Sequence, residues 1–324
     1  MGEFELISRY FAAAPCAQAG DGVALGIGDD CALLALAPGE QLAVSTDTLV
    51  SGVHFPAVPD PFLLGQRSLA VAVSDLAAMG AQPLGFTLAL TLPDFSAQWL
   101  GRYAEGLQQM AQRCAIRLVG GDTTRGPLSL TLTVLGKVPG GQALTRGGAR
   151  PGELFCVGGV LGEAAGALPL VLGERGERSA APGVAGPLLA HYWAPQPQLA
   201  LGQALRGRAS AAIDISDGLL ADAGHIAEAS GVAVHIERSR LPLSDALVAF
   251  AGEQGAFDAA LAGGDDYVLA FSLPAQHVQA LQLAGQPVHV IGQVHAGHGV
   301  TLLSDDGRDI TPAKRGYQHF RGPM

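Results

Sequence analysis

The segment Ala211-Ala-Ile-Asp-Ile-Ser-Asp-Gly218 joins a short apolar run to a turn that contains serine, aspartate and glycine. A short apolar run bounded by such turn residues predicts a β-strand. Strand-like segments of the same kind alternate with helical stretches through the C-terminal half, at residues 154–157, 232–236, 267–273 and 288–294. This alternation predicts an α/β domain.

The N-terminal half combines helical and strand signals in a similar way. Asp60 predicts a helix N-cap, Pro61 suits the first helical turn, and Gly80 predicts that the helix has ended. Ser96 predicts the start of another helix, whose inward face would hold Trp99, Tyr103, Leu107, Met110 and Cys114. Strands are predicted at residues 86–92 and 128–138. We therefore expect a second domain in which helices and strands are mixed.

The length of the chain predicts how these elements are divided. A chain of 324 residues exceeds the size at which one hydrophobic core usually keeps growing, so we expect two domains. Glycine, arginine and proline concentrate between Gly140 and Gly152, which is typical of a connecting segment. The predicted domains are residues 1–139 and 140–324, each of the α/β class with some α+β character.

Composition and charge exclude several classes of function. Hydrophobic residues make up 48% of the sequence and charged residues 15%, which is typical of a compact globular protein. The net charge of -10 and the lack of a Lys/Arg cluster disfavour nucleic acid as a partner. No apolar run reaches membrane-spanning length, and Glu3 and Glu5 lie where a signal peptide would be basic. We expect a cytoplasmic protein that binds no membrane. The four cysteines form no CxxC pair, so we expect buried, reduced thiols.

Acidic residues are scarce, yet many lie in short segments rich in glycine, serine and threonine. Five such motifs are Gly26-Ile-Gly-Asp-Asp30, Ser45-Thr-Asp-Thr48, Gly120-Gly-Asp-Thr-Thr124, Asp214-Ile-Ser-Asp-Gly218 and Gly263-Gly-Asp-Asp-Tyr267. Most follow a strand-like segment, and open α/β sheets bind ligands at strand ends. Carboxylate and hydroxyl oxygens suit Mg²⁺ and the phosphates that it bridges. One motif alone could be a turn in which aspartate accepts backbone N–H groups. Five motifs together with Asp75 favour a phosphate site with several metal ions.

The sequence lacks the usual nucleotide-binding signatures, namely the P-loop, the strand-linked G-x-G-x-x-G and the H-R-D catalytic loop. With only 19 lysines and arginines, magnesium held by aspartate is the expected source of positive charge for a triphosphate. Arg146 is either a guanidinium clamp or an exposed arginine of the connecting segment. His54 is a candidate substrate ligand and Tyr317 a candidate tail anchor, although a structural role is the better interpretation of each residue taken alone.

Taken in order, the five motifs together with Ser74-Asp-Leu-Ala-Ala-Met-Gly-Ala81, His54 and Tyr317 closely resemble the thiamine-monophosphate kinase family. The resemblance spans nearly the whole chain. The superfamily also includes aminoimidazole ribonucleotide synthetase, selenophosphate synthetase and a hydrogenase-maturation protein. The resemblance implies an N-terminal α/β domain that binds ATP and dimerises through its sheet, joined to a C-terminal α/β domain. It also implies ATP-dependent phosphorylation of thiamine monophosphate, the last step of thiamine diphosphate biosynthesis, by a cytoplasmic homodimer.

The same resemblance implies a role for individual residues. Magnesium would be contacted, directly or through water, by Asp30, Ser45, Thr46, Asp47, Asp75, Asp122, Asp214 and Asp217. ATP would be contacted by Gly121, Asp122, Arg146 and Ser216, with Tyr103 as a further candidate. Thiamine monophosphate would be contacted by His54, Asp265 and Tyr317. The residues implied in catalysis are Asp47, Asp122, Asp217 and Arg146. The family commonly has glutamate where this chain has the shorter Asp265.

The expected chemistry is an in-line attack of the acceptor phosphate on the γ-phosphorus of ATP. The acceptor is a phosphate monoester with a second pKa of about 6, so it needs no general base at neutral pH. Positioning and charge neutralisation would supply most of the catalysis. Two alternatives stay open: another ATP-dependent enzyme of the superfamily with a different acceptor, and a nucleotide-binding protein without turnover.

Overall fold

The computed structural model describes residues 3–18, 20, 22–94, 96–176 and 183–317. The chain divides into two compact units. The first unit comprises Met1–Leu76 and Ala81–Gly141, and the second comprises Ala77–Gly80 and Gln142–Met324. Helices and sheets are present in both units, which confirms the mixed fold class predicted from the sequence.

The first unit is built on a four-stranded sheet. Its strands are β3 (Glu40–Val50), β4 (Gln82–Leu92), β5 (Arg117–Arg125) and β6 (Ser129–Pro139), and they lie in the order β3-β6-β4-β5. The pairs of β6 with β3 and β4 are antiparallel, whereas β4 and β5 are parallel. Smaller elements precede this sheet: α1 (Glu3–Leu6), a π-helical turn (Ile7–Ala12), a 3-10 turn (Pro15–Ala17), and the antiparallel pair β1 (Val23–Leu25) and β2 (Leu33–Leu34).

Two long helices belong mainly to this first unit, and both begin at the predicted caps. Helix α2 (Pro61–Ala78) starts after Asp60, whose Oδ1 accepts N–H groups at 2.8 and 3.0 Å. Helix α3 (Ala97–Arg113) starts after Ser96, whose hydroxyl accepts the N–H of Trp99. The helices touch backbone to backbone, because a Cβ built on Gly106 would lie 1.9 Å from the carbonyl oxygen of Phe62.

The two faces of this sheet have different surroundings. On β6, Leu130, Leu132 and Val134 are fully buried, as expected for alternate residues that face a core. On the opposite face, hydroxyl pairs at 2.9 Å join neighbouring strands, Thr46 with Thr133 and Thr48 with Thr131. This second face is largely exposed along β3, and Leu42 and Val44 are 45% and 56% exposed.

The second unit is built on a six-stranded sheet in the order β12-β9-β11-β7-β10-β8. Its strands are β7 (Leu154–Val157), β8 (Ala211–Asp214), β9 (Ala233–Glu237), β10 (Leu269–Leu273), β11 (His289–His295) and β12 (Gly299–Leu303). Its helices are α4 (Glu163–Val171), α5 (Ala185–Trp193), α6 (Leu199–Leu205), α7 (Leu219–Ser230), α8 (Asp245–Ala262) and α9 (Val278–Leu283). Phe155 and Ile213 belong to one core, and Cys156 and Phe271 to another, so both faces of the sheet are covered.

The structure corrects several expectations from the sequence. Residues 45–48 and 120–124 lie inside β3 and β5, whereas we expected such motifs to follow strands. Parallel pairs, within the described residues, are limited to β4 with β5 and β9 with β12. Open α/β sheets bind ligands at the ends of their parallel strands, and this tendency therefore does not explain the motifs at residues 45–48 and 120–124. Strand β12 was not predicted. Among the cysteines, Cys31 is exposed, and all four thiols are free.

Helices of the described segments are too short or too polar to cross a membrane.

Candidate functional site

Strand β3 and helix α2 bring three oxygen-bearing side chains together in the first unit. Ser45 and Asp47 project from the same face of β3, because side chains alternate along a strand. The hydroxyl of Ser45 donates a hydrogen bond to Oδ2 of Asp75 on α2. Burial and the nearby negative charge of Asp75 raise the pKa of Asp47 to about 6. The sequence separates these residues widely, and the packing of α2 on β3 makes them neighbours.

Thr46 lies on the opposite face of β3 from this group. Its hydroxyl is hydrogen-bonded to that of Thr133, at 2.9 Å. The Thr46 side chain therefore points away from Asp47, and a contact between Thr46 and an ion at Asp47 would have to come from the main chain.

Asp30 and Asp122 line one cavity of about 540 Å³ in the first unit. The cavity is bounded by Ile7, Phe11, Leu88, residues 27–32 and residues 118–123. Gly121 forms part of its wall where β5 runs closest to β4, and a Cβ there would lie 2.0 Å from the carbonyl oxygen of Leu88. Only glycine fits at this position, because any side chain would collide with the backbone of β4.

His54 closes the turn that follows β3. The ring Nδ1 of His54 accepts the main-chain N–H of Val50 at 3.0 Å, and the main-chain N–H of His54 donates to the carbonyl of Val50 at 2.9 Å. A neutral imidazole that accepts at Nδ1 carries its hydrogen on Nε2, so the ring is a hydrogen-bond donor at Nε2.

Tyr103 was predicted as a nucleotide contact, and its position in the structure argues against that role. The side chain is fully buried on α3, its hydroxyl lies 3.1 Å from that of Ser68 on α2, and its ring stacks on Trp99. A nucleotide could reach Tyr103 only if α2 and α3 separated. We therefore assign Tyr103 to the packing of these helices.

In the second unit, residues 214–218 form a loop between β8 and α7, here called the 214–218 loop. Asp214 is buried, Asp217 is partly buried and Ser216 is exposed. The loop surrounds Asp222, whose Oδ2 accepts the N–H groups of Ser216, Asp217 and Gly218, each at 3.1 Å. Burial and the negative charges of Asp214 and Asp217 raise the pKa of Asp222 to about 7. The sequence analysis missed Asp222, although an acidic residue in the first turn of a helix is a recognised signal.

The segment 263–267 runs beside this loop. The N–H of Asp265 donates to the carbonyl of Ser216 at 2.8 Å, and the hydroxyl of Tyr267 donates to Oδ1 of Asp265 at 2.9 Å. Asp265 has a φ of 63°, a conformation that aspartate tolerates better than most residues. Sequence reasoning gave Tyr267 no role, yet its hydroxyl orients the Asp265 carboxylate.

Asp266 lies next to Asp265 but points into the core of the second unit. Both of its carboxylate oxygens lie within 2.9 Å of the Gly162 N–H, which donates to them at the start of α4. Burial raises the pKa of Asp266 to about 7, with the charge of His191 acting in the opposite direction. Asp266 is thus a structural residue, which leaves Asp265 as the partly exposed carboxylate of this segment.

Tyr317 approaches the 214–218 loop through its backbone. Its N–H donates to the carbonyl of Asp217 at 2.9 Å, and its side chain is 47% exposed. Gly316 packs against the same carbonyl and against Ala221 of α7. The tail is therefore anchored through its main chain, and the ring of Tyr317 is accessible to a ligand.

Arg146 is exposed, and its carbonyl accepts the hydroxyl of Ser230 at 3.3 Å. The backbone of the connecting segment is thus fixed at this point, and the guanidinium group faces solvent.

The donor sets in each unit fit a hard divalent cation. Ser45, Asp47 and Asp75 supply oxygen ligands, and burial and mutual repulsion disfavour the charged form of Asp47. A bound cation would relieve both effects. In the second unit, the ligand atoms of Asp217, Asp222 and His225 lie within 4.8 Å of one another. The all-oxygen set of the first unit is typical of magnesium, whereas His225 would add a nitrogen ligand to the set in the second unit.

Known proteins resemble this chain over nearly its whole length. Residues 28–138 match the model of the AIR synthase related protein N-terminal domain, and residues 152–305 match that of the C-terminal domain. The thiamine-monophosphate kinase of Escherichia coli K12 is 44% identical over 99% of both chains. A thiamine-monophosphate kinase structure from Stenotrophomonas maltophilia is 45% identical, with a TM-score of 0.85, and the match covers 93% of this chain and 96% of that one. A structure of AaThiL complexed with AMPPCP and TMP is 30% identical, with a TM-score of 0.79, covering 88% and 89% of the two chains.

Proposed function

Because this chain belongs to the thiamine-monophosphate kinase family, we propose that it transfers the γ-phosphoryl group of ATP directly to the phosphate of thiamine monophosphate. The products are ADP and thiamine diphosphate. A single observation carries the proposal: this chain matches kinases of this activity over nearly its whole length. The acidic groups of both units are consistent with it. The complex of a relative with AMPPCP and TMP supports the identity of the two substrates.

We assign magnesium to the acidic groups of the two units. In the first unit the proposed ligands are Asp30, Ser45, Thr46, Asp47, Asp75 and Asp122, with Thr46 acting through its main chain. In the second unit they are Asp214 and Asp217. When bound, magnesium neutralises the negative charge of the triphosphate and of the acceptor phosphate. The raised pKa of Asp47 supports this assignment, because a bound cation would relieve the repulsion between these two partly buried carboxylates.

The nucleotide is assigned to Gly121, Asp122, Arg146 and Ser216. Gly121 lines the cavity beside Asp122, so its backbone lies where the phosphates of a nucleotide in the cavity could contact it. Arg146 presents an exposed guanidinium group, whose planar donors suit phosphate oxygens. We propose that the domain of residues 1–139 carries the main nucleotide-binding and dimerisation surfaces, and that residues 140–324 form the second domain.

Thiamine monophosphate is assigned to His54, Asp265 and Tyr317. The Nε2–H of His54 is suited to donate to a phosphate oxygen. Asp265 offers a carboxylate, held by Tyr267, to the permanently positive thiazolium ring. The exposed ring of Tyr317 offers an aromatic surface for the same heterocycle.

The reaction requires little from the protein beyond binding and orientation. An oxygen of the acceptor phosphate forms a bond to the γ-phosphorus, and the bond from that phosphorus to the bridging oxygen of ADP breaks. The acceptor is already deprotonated at neutral pH, so no residue has to remove a proton. His54 and Arg146 hold the two anions in place, and Asp265 fixes the thiazolium end of the acceptor. Holding both substrates in line supplies much of the rate enhancement.

Product analysis tests the proposal. With ATP and magnesium, the protein is expected to convert thiamine monophosphate to thiamine diphosphate and to release one ADP per product. Free thiamine is expected to give no product, because it lacks the attacking phosphate. Chromatographic separation of the thiamine esters measures the outcome. Phosphorylation of free thiamine alone would contradict the proposal, and ADP release without thiamine diphosphate would favour a different acceptor.

The Asp265→Asn variant tests the thiazolium contact. Asparagine tolerates the same positive φ and can still accept the Tyr267 hydroxyl, so the segment should keep its fold. Loss of the negative charge is expected to raise the KM for thiamine monophosphate about tenfold, which corresponds to about 1.4 kcal/mol. The KM for ATP should stay within about twofold, a change of less than about 0.5 kcal/mol. Steady-state kinetics measure both constants.

Asp258 provides a matched control for that variant, because it is an exposed aspartate on α8 that accepts a hydrogen bond from Gln254. Asp258→Asn should leave both KM values unchanged. An unchanged KM for thiamine monophosphate in Asp265→Asn would show that Asp265 only holds the turn.

We also propose that the enzyme is a cytoplasmic homodimer. The exposed face of β3, with Leu42 and Val44 next to the threonine pairs, is the surface that we assign to the dimer. Two apolar side chains exposed on one strand face are a reason for a sheet to be covered by a second copy. Sedimentation of the purified protein measures its mass, and a mass of 33.0 kDa, that of one chain, would contradict the dimer.

A further inference from the structure

The buried carboxylate of Asp222 has no part in the mechanism described above, although it lies at the centre of the second unit's acidic group. Asp222 is 2% exposed and belongs to the first turn of α7. Its Oδ2 accepts three consecutive backbone N–H groups, from Ser216, Asp217 and Gly218. One oxygen atom thus fixes the inward side of the whole 214–218 loop.

The carbonyl groups of this loop point to the segments that carry the proposed substrate contacts. The carbonyl of Ile215 accepts the N–H of Tyr267, and that of Ser216 accepts the N–H of Asp265, both at 2.8 Å. The carbonyl of Asp217 accepts the N–H of Tyr317 at 2.9 Å. Because each peptide unit is planar, a rotation that moves one N–H also moves the carbonyl of the preceding residue. The bonds to Asp222 therefore restrict the directions of the loop carbonyls.

Close packing leaves the loop little freedom to compensate. A Cβ on Gly264 would lie 2.4 Å from the carbonyl oxygen of Ser216, and one on Gly218 would lie 2.9 Å from Ala262. The loop backbone is thus in direct contact with the segment that precedes Asp265. A shift of the loop would be transmitted to that segment, because no side chain lies between them to absorb it.

We propose that Asp222 is a positioning residue for the acceptor substrate: its hydrogen bonds to the 214–218 loop set the positions of Asp265 and Tyr317. This inference rests on the proposed function, which assigns those two residues to thiamine monophosphate. Asp222 itself touches neither substrate. Its effect passes through the loop backbone to the two neighbouring segments.

Two substitutions separate the hydrogen bonds from the charge. Asp222→Ala removes the acceptor, whereas Asp222→Asn keeps an oxygen that can accept the three N–H groups but removes the charge. Calorimetric titration with thiamine monophosphate, in the absence of ATP, measures affinity without turnover. We expect Asp222→Ala to raise the Kd about tenfold or more, since small misplacements of binding groups have large effects. Asp222→Asn should raise it by no more than about threefold, because the acceptor is preserved.

Glu153 provides the matched control. It is also a buried carboxylate of the second unit, 7% exposed, and it accepts the N–H of Arg150 at 3.1 Å and the hydroxyl of Ser210 at 2.5 Å. Glu153→Ala should lower the Tm, as Asp222→Ala does, yet leave the Kd for thiamine monophosphate unchanged. A purely structural role for Asp222 predicts the same pattern for both alanine variants, so that result would overturn the inference.

The remaining outcomes also decide the question. If Asp222→Asn weakens binding as much as Asp222→Ala, the charge and not the hydrogen bonding is what matters, and the inference is overturned. If Asp222→Ala does not fold, Asp222→Glu replaces it, because the longer side chain keeps the charge but displaces the oxygen that holds the loop. Faster amide hydrogen exchange at residues 216–218 and at Asp265 than in Glu153→Gln supports the inference, and unchanged exchange at Asp265 overturns it. Failure of the unsubstituted protein to form thiamine diphosphate would instead overturn the proposed function.

Discussion

Replacing Asp47 by asparagine is expected to reduce turnover at least about 100-fold, an effect typical of losing a group that stabilises transition-state charge. The same substitution should leave the metal-free protein as stable as before, or more stable, at about pH 8. Asp47 carries a raised pKa of about 6 because it is partly buried and lies near the negative charge of Asp75, so its charged form is disfavoured by the fold. Asparagine removes that charge with little change in size. A shift of two pKa units corresponds to at most about 2.7 kcal/mol of stability.

Asp60 is the control for this variant. Its Oδ1 caps α2, and asparagine caps helices about as well as aspartate. Asp60→Asn should therefore retain both turnover and Tm. Kinetics and thermal unfolding are measured on both variants under the same conditions. Near-normal turnover in Asp47→Asn would remove Asp47 from the catalytic group, and a fall in Tm without loss of turnover would make it a structural residue.

Removing magnesium with EDTA is expected to abolish turnover and to destabilise the protein in a pH-dependent way. The folded-state pKa values of Asp47 and Asp222 are about 6 and about 7, above their ordinary value of 3.8. The folded state therefore binds protons more tightly than the unfolded state, and the resulting stability is present in full below about pH 4. It is lost as the pH rises through about 6 to 7. Magnesium should restore stability where the carboxylates are charged.

Thermal unfolding with and without magnesium, at about pH 5 and about pH 8, measures this effect. The rise in Tm on adding magnesium should be larger at about pH 8, and at 100 times the Kd it corresponds to about 2.7 kcal/mol. Asp47→Asn should reduce the rise, whereas Asp60→Asn should not. An equal rise at both pH values would show that the ion does not bind at titrating carboxylates.

The sequence predicted those elements whose signals are local. Asp60 and Pro61 marked the start of α2, and Ser96 marked the start of α3, because a cap depends on residues within one turn. The fold class and the two-part organisation followed from alternation and length. Strand β3 was not recognised as a strand, since its exposed hydroxyl face and its acidic residues obscure the usual apolar pattern.

The candidate site was predicted as a set of residues but not as an arrangement. Alternation could place Ser45 and Asp47 on one face of a strand, but nothing local indicates that α2 brings Asp75 to that face. Asp222 was missed because its role depends on three backbone groups that a sequence does not display. Two predictions for Tyr103 conflicted: the helical pattern placed it on the inward face of α3, whereas the family resemblance made it a candidate nucleotide contact. The structure confirms the inward placement, because the side chain is fully buried.

The position of Asp222 has a consequence for which anions the enzyme can accept. The N terminus of a helix is a common place to hold a bare phosphate with uncharged amide groups. Directly before α7 the protein's own carboxylate accepts three backbone N–H groups, those of Ser216, Asp217 and Gly218. An uncomplexed phosphate therefore meets negative charge at this loop, whereas a phosphate that arrives with its counter-cation does not. If the loop contacts the nucleotide as proposed, we expect this negative charge to favour metal-complexed nucleotide over free nucleotide and inorganic phosphate.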